Sequence, residues 1–368
     1  MAEPMMGLKV KPKFRAIILS LAFMNLAAAC QSSKTSTNPP TGAPGAPRAV
    51  VSQVPALRMK SGQEKKEDIS ARALTSSGVN SSPAFSPDGG KILFVSKNRS
   101  SHKHSQIYEL DIVRMTERRL TFHDGDDAAP AWSGANEFIY SSSTDRIKEE
   151  PAMIARLKSA YLGGAKFEPA FPGDLFRQRS DGREIKRITQ SAGLDQDANK
   201  DPASNKIIFA RVDGGSRLNV LEGERLKILS SKDVNDHQPS FSKDGKQIAF
   251  VRAIDDKRAQ IFVSKGLDLK SARALTSDKH LSRDPAWHPT QDAILFSSNL
   301  GGNVFDLYVF DLKLDCLMRI TIANQNLSEP TFSPDGENIV FSSEISGSKH
   351  LFMMDYNHGQ VSCLRTEG

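Results

Sequence analysis

Short apolar runs alternate with polar turns along most of the chain, on a repeat of about 45 residues of the kind that builds closed β-architectures. The fullest copy of the phrase that opens each unit is Pro83-Ala-Phe-Ser-Pro-Asp-Gly-Gly-Lys-Ile-Leu-Phe-Val-Ser96. It returns around Pro130, Pro239, Pro285 and Pro330, and a degraded copy through Asp201–Phe209 puts its anchor at Ala198. The anchors at 83, 130, 198, 239, 285 and 330 are separated by 47, 68, 41, 46 and 45 residues.

Each unit reads as four short strands. The Pro-x-Phe/Trp-Ser stretch is strand A, which proline can open without breaking a ladder bond. Pro-Asp-Gly is a tight turn in which glycine is free to take positive φ. Strand B is a run such as Ile92-Leu-Phe-Val, rich in β-formers and buried on both faces. Strand C is exemplified by Gln106–Asp111 and Asp306–Asp311. Strand D closes on Arg119-Leu-Thr121, Arg187-Ile-Thr189, Arg273-Ala-Leu-Thr276 or Arg319-Ile-Thr321. Six four-stranded units predict an all-β fold, a six-bladed β-propeller whose closure removes exposed sheet edges.

The phrase and the Leu-Thr ending resemble the repeats of the TolB-like β-propeller family (PD40, or WD40-like), over roughly residues 70 to 366. The resemblance implies a non-enzymatic, protein-binding propeller of the bacterial cell envelope, with a peptidoglycan-associated lipoprotein or another member of a Tol-Pal-like complex as partner. It departs from TolB in lacking the α/β domain that precedes that family's propeller.

The first 30 residues carry a different pattern. Lys9, Lys11, Lys13 and Arg15 precede the apolar run Ala16–Ala29, which is too short for a permanent membrane span and has the layout of a secretory signal. Leu26-Ala-Ala-Ala-Cys30 resembles the lipobox of bacterial lipoproteins, making Cys30 the lipidation site, although the leucine sits four residues before the cysteine rather than three. Cleavage after Ala29 to leave a soluble periplasmic protein is the alternative. Gln31 at the second mature position resembles outer-membrane sorting, which gives an outer-membrane lipoprotein facing the periplasm. The domain reading is a signal at 1–29, a disordered Ser/Thr/Pro/Gly-rich tether at 30–68 and the propeller at 69–368.

Charge changes the picture little. The chain holds 49 Lys+Arg and 43 Asp+Glu, but four of the former and one of the latter lie in the first 29 residues, leaving 45 against 42. No Lys/Arg cluster is interleaved with aromatics in the folded part, so no nucleic-acid partner is expected.

An extra Arg72-Ala-Leu-Thr75 precedes the first unit, and Gln360–Leu364 follows the last. Both compete for the fourth strand of blade six, and an N-terminal strand there would clasp the ring. Cys316 and Cys363 are read on, or at the start of, the outermost strands of blades five and six, which splay beyond the roughly 7 Å that a bridge spans, so both are expected unpaired.

Two regions could hold a site. The D-to-A loops carry Asp124, Asp126, Asp127, Asp195, Asp197, Asp233, Asp236, Asp284 and Glu329, many of them one or three residues before an anchor, and these are expected to converge on the channel mouth. They read either as a receptor for a basic peptide, as a site for a hard cation such as Ca²⁺, or as ordinary turn-formers. His237 beside Asp236 reads as a ligand pair or as a solvated loop histidine, and the identity of any metal is unknown. The second region is an insertion in blade two at about residues 145–173. Glu149–Leu162 there reads as a helix ended by Gly163-Gly164, with Met153, Leu157 and Tyr161 on one face, and Phe167 and Phe171 follow in an extended return. Such a loop could dock a partner over the channel face.

Gly-x-Ser-x-Gly, His-Glu-x-x-His and phosphate-cradling glycine loops are all missing, and no hydrolase domain is expected after Gly368. The expectation is therefore not an enzyme and no cofactor, with a Ca²⁺-binding or lactonase-like hydrolytic propeller as the alternative.

Overall fold

The computed structural model describes residues 48–49, 54–62, 67–123, 125–144, 173–356 and 363–364. Strands β1 (Arg48–Ala49), β2 (Leu57–Ser61) and β3 (Asp68–Ala73) precede the blades. Blade one is β4 to β7, at Val79–Phe85, Lys91–Lys97, Gln106–Asp111 and Thr116–Arg119. Blade two is β8 to β11, at Asp127–Gly134, Glu137–Ser142, Asp174–Arg179 and Lys186–Arg187. Blade three is β12 to β15, at Leu194–Lys200, Lys206–Val212, Ser216–Glu222 and Arg225–Ile228. Blade four is β16 to β19, at Asn235–Phe241, Gln247–Ala253, Ala259–Lys265 and Asp268–Ala274. Blade five is β20 to β23, at Ser282–Trp287, Ala293–Ser298, Asp306–Asp311 and Cys316–Arg319. After β24 (Thr321–Ile322), blade six is β25 to β27, at Leu327–Phe332, Asn338–Ile345 and Ser348–Asp355, with β3 as its fourth strand.

The repeated residues have repeated jobs. The second strands are buried along nearly their whole length, Ala293–Ser298 without interruption, because each blade packs on a neighbour through both faces. Full burial of side chains such as Phe94, Phe250 and Phe341 supplies about 2 kcal/mol apiece, and this inter-blade layer is the core. In the Ser-x-Asp-Gly turns, Ser86, Ser242 and Ser333 donate to Asp88, Asp244 and Asp335 at 2.5, 2.8 and 2.5 Å. The glycines that follow take φ of 75°, 70° and 80°. The closing threonine is a staple: the hydroxyls of Thr121, Thr189, Thr276 and Thr321 accept the amides of Ile107, Leu175, Ile261 and Leu307 at 2.9 to 3.0 Å. Trp132 and Trp287 each donate Nε1 to a carbonyl of the preceding blade, Ala84 at 3.1 Å and Ser240 at 2.9 Å.

The competition for the last strand is resolved for the N-terminal candidate. Ala73 pairs with Phe352 and Arg72 with Met353, and the Thr75 hydroxyl accepts the Leu351 amide at 3.0 Å, as the threonine does in other blades. The N-terminal segment reaches further: β2 pairs with β3 and, on its other side, with β24, while β1 lies along β7 of blade one. Ordered strands therefore begin inside the 30–68 stretch read as a tether.

The cysteines correct a second expectation. Cys316 and Cys363 form a disulfide, with their Cα atoms 5.3 Å apart. With β3 in the fourth position of blade six, the C-terminal segment is displaced onto the outer edge of blade five. There the Leu364 amide donates to the Leu317 carbonyl at 2.7 Å. The two cysteines thus share one edge, and the splay between neighbouring blades does not separate them.

The helix read at 149–162, with Met153, Leu157, Tyr161, Phe167 and Phe171, and the lipidation residue Cys30 lie outside the described residues, as does Asp124.

Candidate functional site: the ring at the channel mouth

The innermost strand of every blade carries the same irregularity. Its register with the second strand slips in all six blades, between Ser81 and Ala84, Ala128 and Ala131, Gln196 and Asn199, His237 and Ser240, Arg283 and Ala286, and Ser328 and Thr331. The residue before each anchor takes a left-handed conformation: Ser82, Ala129, Asp197, Gln238, Asp284 and Glu329 have φ of 52°, 46°, 54°, 49°, 59° and 55°. Such bulges re-aim a side chain and free a backbone amide from the ladder. Repeated six times about one axis, they turn one residue per blade into the channel.

These residues are joined from blade to blade. The amide of Ser82 donates to Glu329 Oε2 at 3.0 Å, and that of Glu329 to Asp284 Oδ2 at 3.0 Å. The amide of Asp284 donates to Gln238 Oε1 at 3.0 Å, and Gln238 Nε2 returns a bond to Asp284 Oδ1 at 2.7 Å. The amide of Gln238 in turn bonds the Asp197 carboxylate. Each side chain caps the bulge amide of the blade after it, from blade three round to blade one. The relay ends at blade one, since among the described residues no bond joins Ser82 to the Ala129 amide, and between blades two and three Ala129 has no polar side-chain atom to give.

The acids one residue before an anchor thus converge as expected. Burial, reinforced by the charges of Asp284 and Glu329, pushes the Asp197 carboxyl up to about 7 against the pull of the Gln238 amide. Burial also works against charge on Glu329. Lys349 at 2.9 Å, the Ser342 hydroxyl at 2.6 Å and the Ser82 amide outweigh it and hold that carboxyl below its usual range.

The acids three residues before an anchor do not converge. Asp127, Asp195 and Asp236 are buried inside their own blades. Asp195 takes a two-pronged bond from Arg211 at 2.6 and 2.8 Å, and Asp236 takes one from Arg252 at 2.7 and 3.0 Å. Their strand position, two residues from the bulge, points them into the blade. His237 is a half-buried member of β16, not a solvated loop residue. Burial holds its imidazole below the usual range, although Asp236 and Asp284 pull the other way. Asp126 ties its loop to the loop before β6, accepting from the Ser105 amide at 2.7 Å, and Asp233 is a local turn group accepting from the Ser231 hydroxyl at 3.4 Å.

Gln238, Ser82, Ala129 and Lys349 belong to the site although a search for acidic residues passes them over. The signal was the column, the residue before each anchor, whatever its type. Beside the ring, a polar pocket of about 470 Å³ opens between blades five and six, lined by Asn324, Gln325, Ser343, Glu344 and Lys349 among others.

Six closed blades, an N-terminal strand completing the last and a ring of bulge residues at one mouth define a β-propeller of the closed-seam kind. Residues 217–368 match the family model of the TolB beta propeller domain. The crystal structure of TolB from Acinetobacter baumannii superposes with a TM-score of 0.57 at 20% identity, over 76% of this chain and 66% of that one, so the chain spans just under two thirds of that relative. A candidate TolB from Agrobacterium tumefaciens gives 0.55 at 12% identity, over 82% and 98% of the two chains. A gluconolactonase from Xanthomonas campestris gives 0.53 at 12%, over 84% and 97%. At these identities the likeness is one of fold. The protein is a six-bladed β-propeller whose C-terminal part carries the match to the TolB propeller model. Among the described residues, no helix is long and apolar enough to cross a membrane.

Proposed function

We propose that this is a non-enzymatic, protein-binding propeller of the bacterial cell envelope, held at the outer membrane through lipidated Cys30 and facing the periplasm. Its partner is an extended segment of another envelope protein, a peptidoglycan-associated lipoprotein of a Tol-Pal-like complex being the class the repeats suggest. The observation that carries this reading is the ring at the mouth. Its carboxylates are already engaged by backbone amides and by Lys349, so they offer hydrogen-bonding edges to a passing chain more readily than a bare cage to a cation. Peptide recognition through backbone and side-chain amides suits such a surface.

The test is site-specific photocrosslinking in intact envelopes. A photoreactive residue at Asn324, in the loop entering blade six beside the mouth, should capture a discrete envelope protein. The same group at Val113, 87% exposed on a turn at the opposite face, should not. Equal capture from both positions, or none from Asn324, would count against the reading. Calorimetry with Ca²⁺ tests the metal-dependent, lactonase-like alternative, which predicts heat of binding and thermal stabilisation.

A further inference from the structure

We propose that the bulge of blade three is a seat for a primary carboxamide, an asparagine or glutamine side chain on the partner's extended segment, which occupies the place that Ala129 leaves empty. The inference rests on the protein-binding reading above and adds the chemistry that the partner presents.

The template lies within the molecule. Between blades four and five, the Gln238 carboxamide accepts the Asp284 amide through Oε1 and donates Nε2 to the Asp284 carboxylate. The other Asp284 oxygen is taken by the amide of the next bulge, Glu329. Asp197 is laid out in the same way. Its φ is 54° against 59° for Asp284, and its carboxylate takes the amide of the next bulge, Gln238. The ladder pairs Gln196 with Ala210 and Asn199 with Ile208, so the Asp197 amide sits in the same register slip as those of Asp284 and Glu329, which turn to a side chain of the preceding blade. What Asp284 has and Asp197 lacks is the carboxamide from the preceding blade. Position 129, the counterpart of 238, is alanine, and among the described residues no other side chain caps the Asp197 amide.

The seat selects by chemistry. An isolated amide calls for an acceptor, and the carboxylate beside it calls for a donor, so one group must offer both at the spacing of a carboxamide. A carboxylate ligand would meet Asp197, Asp284 and Glu329 at close range and would donate nothing. An ammonium ion would satisfy the carboxylate and leave the amide unpaired. Of the common side-chain groups, asparagine and glutamine fit both demands.

The full chain, ¹⁵N-labelled, is titrated with acetamide and separately with acetate, following backbone amide resonances. Acetamide should shift the Asp197 amide saturably while the Glu329 amide, already capped, stays in place. Acetate at equal concentration should produce no saturable shift. Ala129→Gln, which supplies the missing group from within the chain, should abolish the acetamide response. Absence of a saturable shift, an equal response to acetate, or a response retained in Ala129→Gln overturns the seat, and the wild-type titrations stand even if the variant does not fold. Crosslinking from Asn324 separates this from the broader reading: a partner captured equally by wild type and Ala129→Gln leaves protein binding intact and removes the carboxamide.

Discussion

Blades three and four treat the aspartate near the start of their inner strand in one way, and blade two treats its own in another. In the first two, the residue directly across the ladder is arginine, Arg211 facing Asp195 and Arg252 facing Asp236. In blade two the residue across from Asp127 is Ser142. The backbone is the same, but the charge has no cross-strand counterpart. His123 Nε2 stands 3.6 Å from Asp127 Oδ1, beyond hydrogen-bonding distance. Burial pushes this carboxyl up to about 8, with the hydroxyls of Thr121 and Ser142 pulling it back only in part. One repeat therefore accommodates both an ion pair and a neutral acid at equivalent positions, and the cross-strand neighbour decides which.

The sharpest way to break this comparison is to remove an arginine. Arg252→Ala leaves Asp236 buried and unpaired and should cost about 3 kcal/mol in urea denaturation at pH 7. A loss below about 1 kcal/mol would mean that the pair contributes little beyond its packing. The same neutralising substitution should then give opposite signs in the two settings. Asp236→Asn should destabilise by on the order of 2 kcal/mol, because Arg252 loses its counter-charge.

Asp127→Asn should stabilise, in a pH-dependent way. The folded protein keeps the Asp127 proton up to about pH 8, whereas an unfolded aspartate ionises near pH 4, at about 3.9. The stability that this group contributes is therefore fully present below about pH 4 and is lost as pH rises towards 8. Asp127→Asn should match wild type near pH 4 and exceed it near pH 8 by more than about 1 kcal/mol. A wild-type-minus-variant difference that is flat across this window would show that Asp127 is already ionised in the fold. The smallest effect is one in which blade two should behave like another blade. Trp132→Phe and Trp287→Phe each remove one donor to a neighbouring carbonyl, and each should cost about 1 kcal/mol.

The architecture was legible because its signals are local. Proline, glycine and threonine stand where a strand entrance, a positive-φ turn and a cross-strand staple need them, so the blades could be counted from the phrase. The ring was legible only in part. Asp197, Asp284 and Glu329 stood out as acids, but Gln238 and Ala129 hold equivalent places with other chemistry, and only the repeated bulge shows that they form one set. Asp127, Asp195 and Asp236 misled because strand parity, not spacing from the anchor, decides which side of the bulge a residue faces. The disulfide was missed through one wrong strand assignment: once β3 fills blade six, residue 363 is free to lie against residue 316. That competition was between two segments of similar pattern, and it was settled by long-range pairing that no local signal reports.

The seam also imposes an order in time. Thr75 staples a strand whose partner Leu351 lies 276 residues later, so the ring stays open until Leu351 has been made. Contacts of that separation slow folding far more than they weaken the final state. During that interval the N-terminal hairpin and the free flank of blade six are unsatisfied edges, the places where a misregistered or swapped partner would bind. Cys363 lies 47 residues after Cys316 and can meet it in the native bridge only after the outer edge of blade five is built. Oxidation then records that the segment carrying Cys363 has reached blade five.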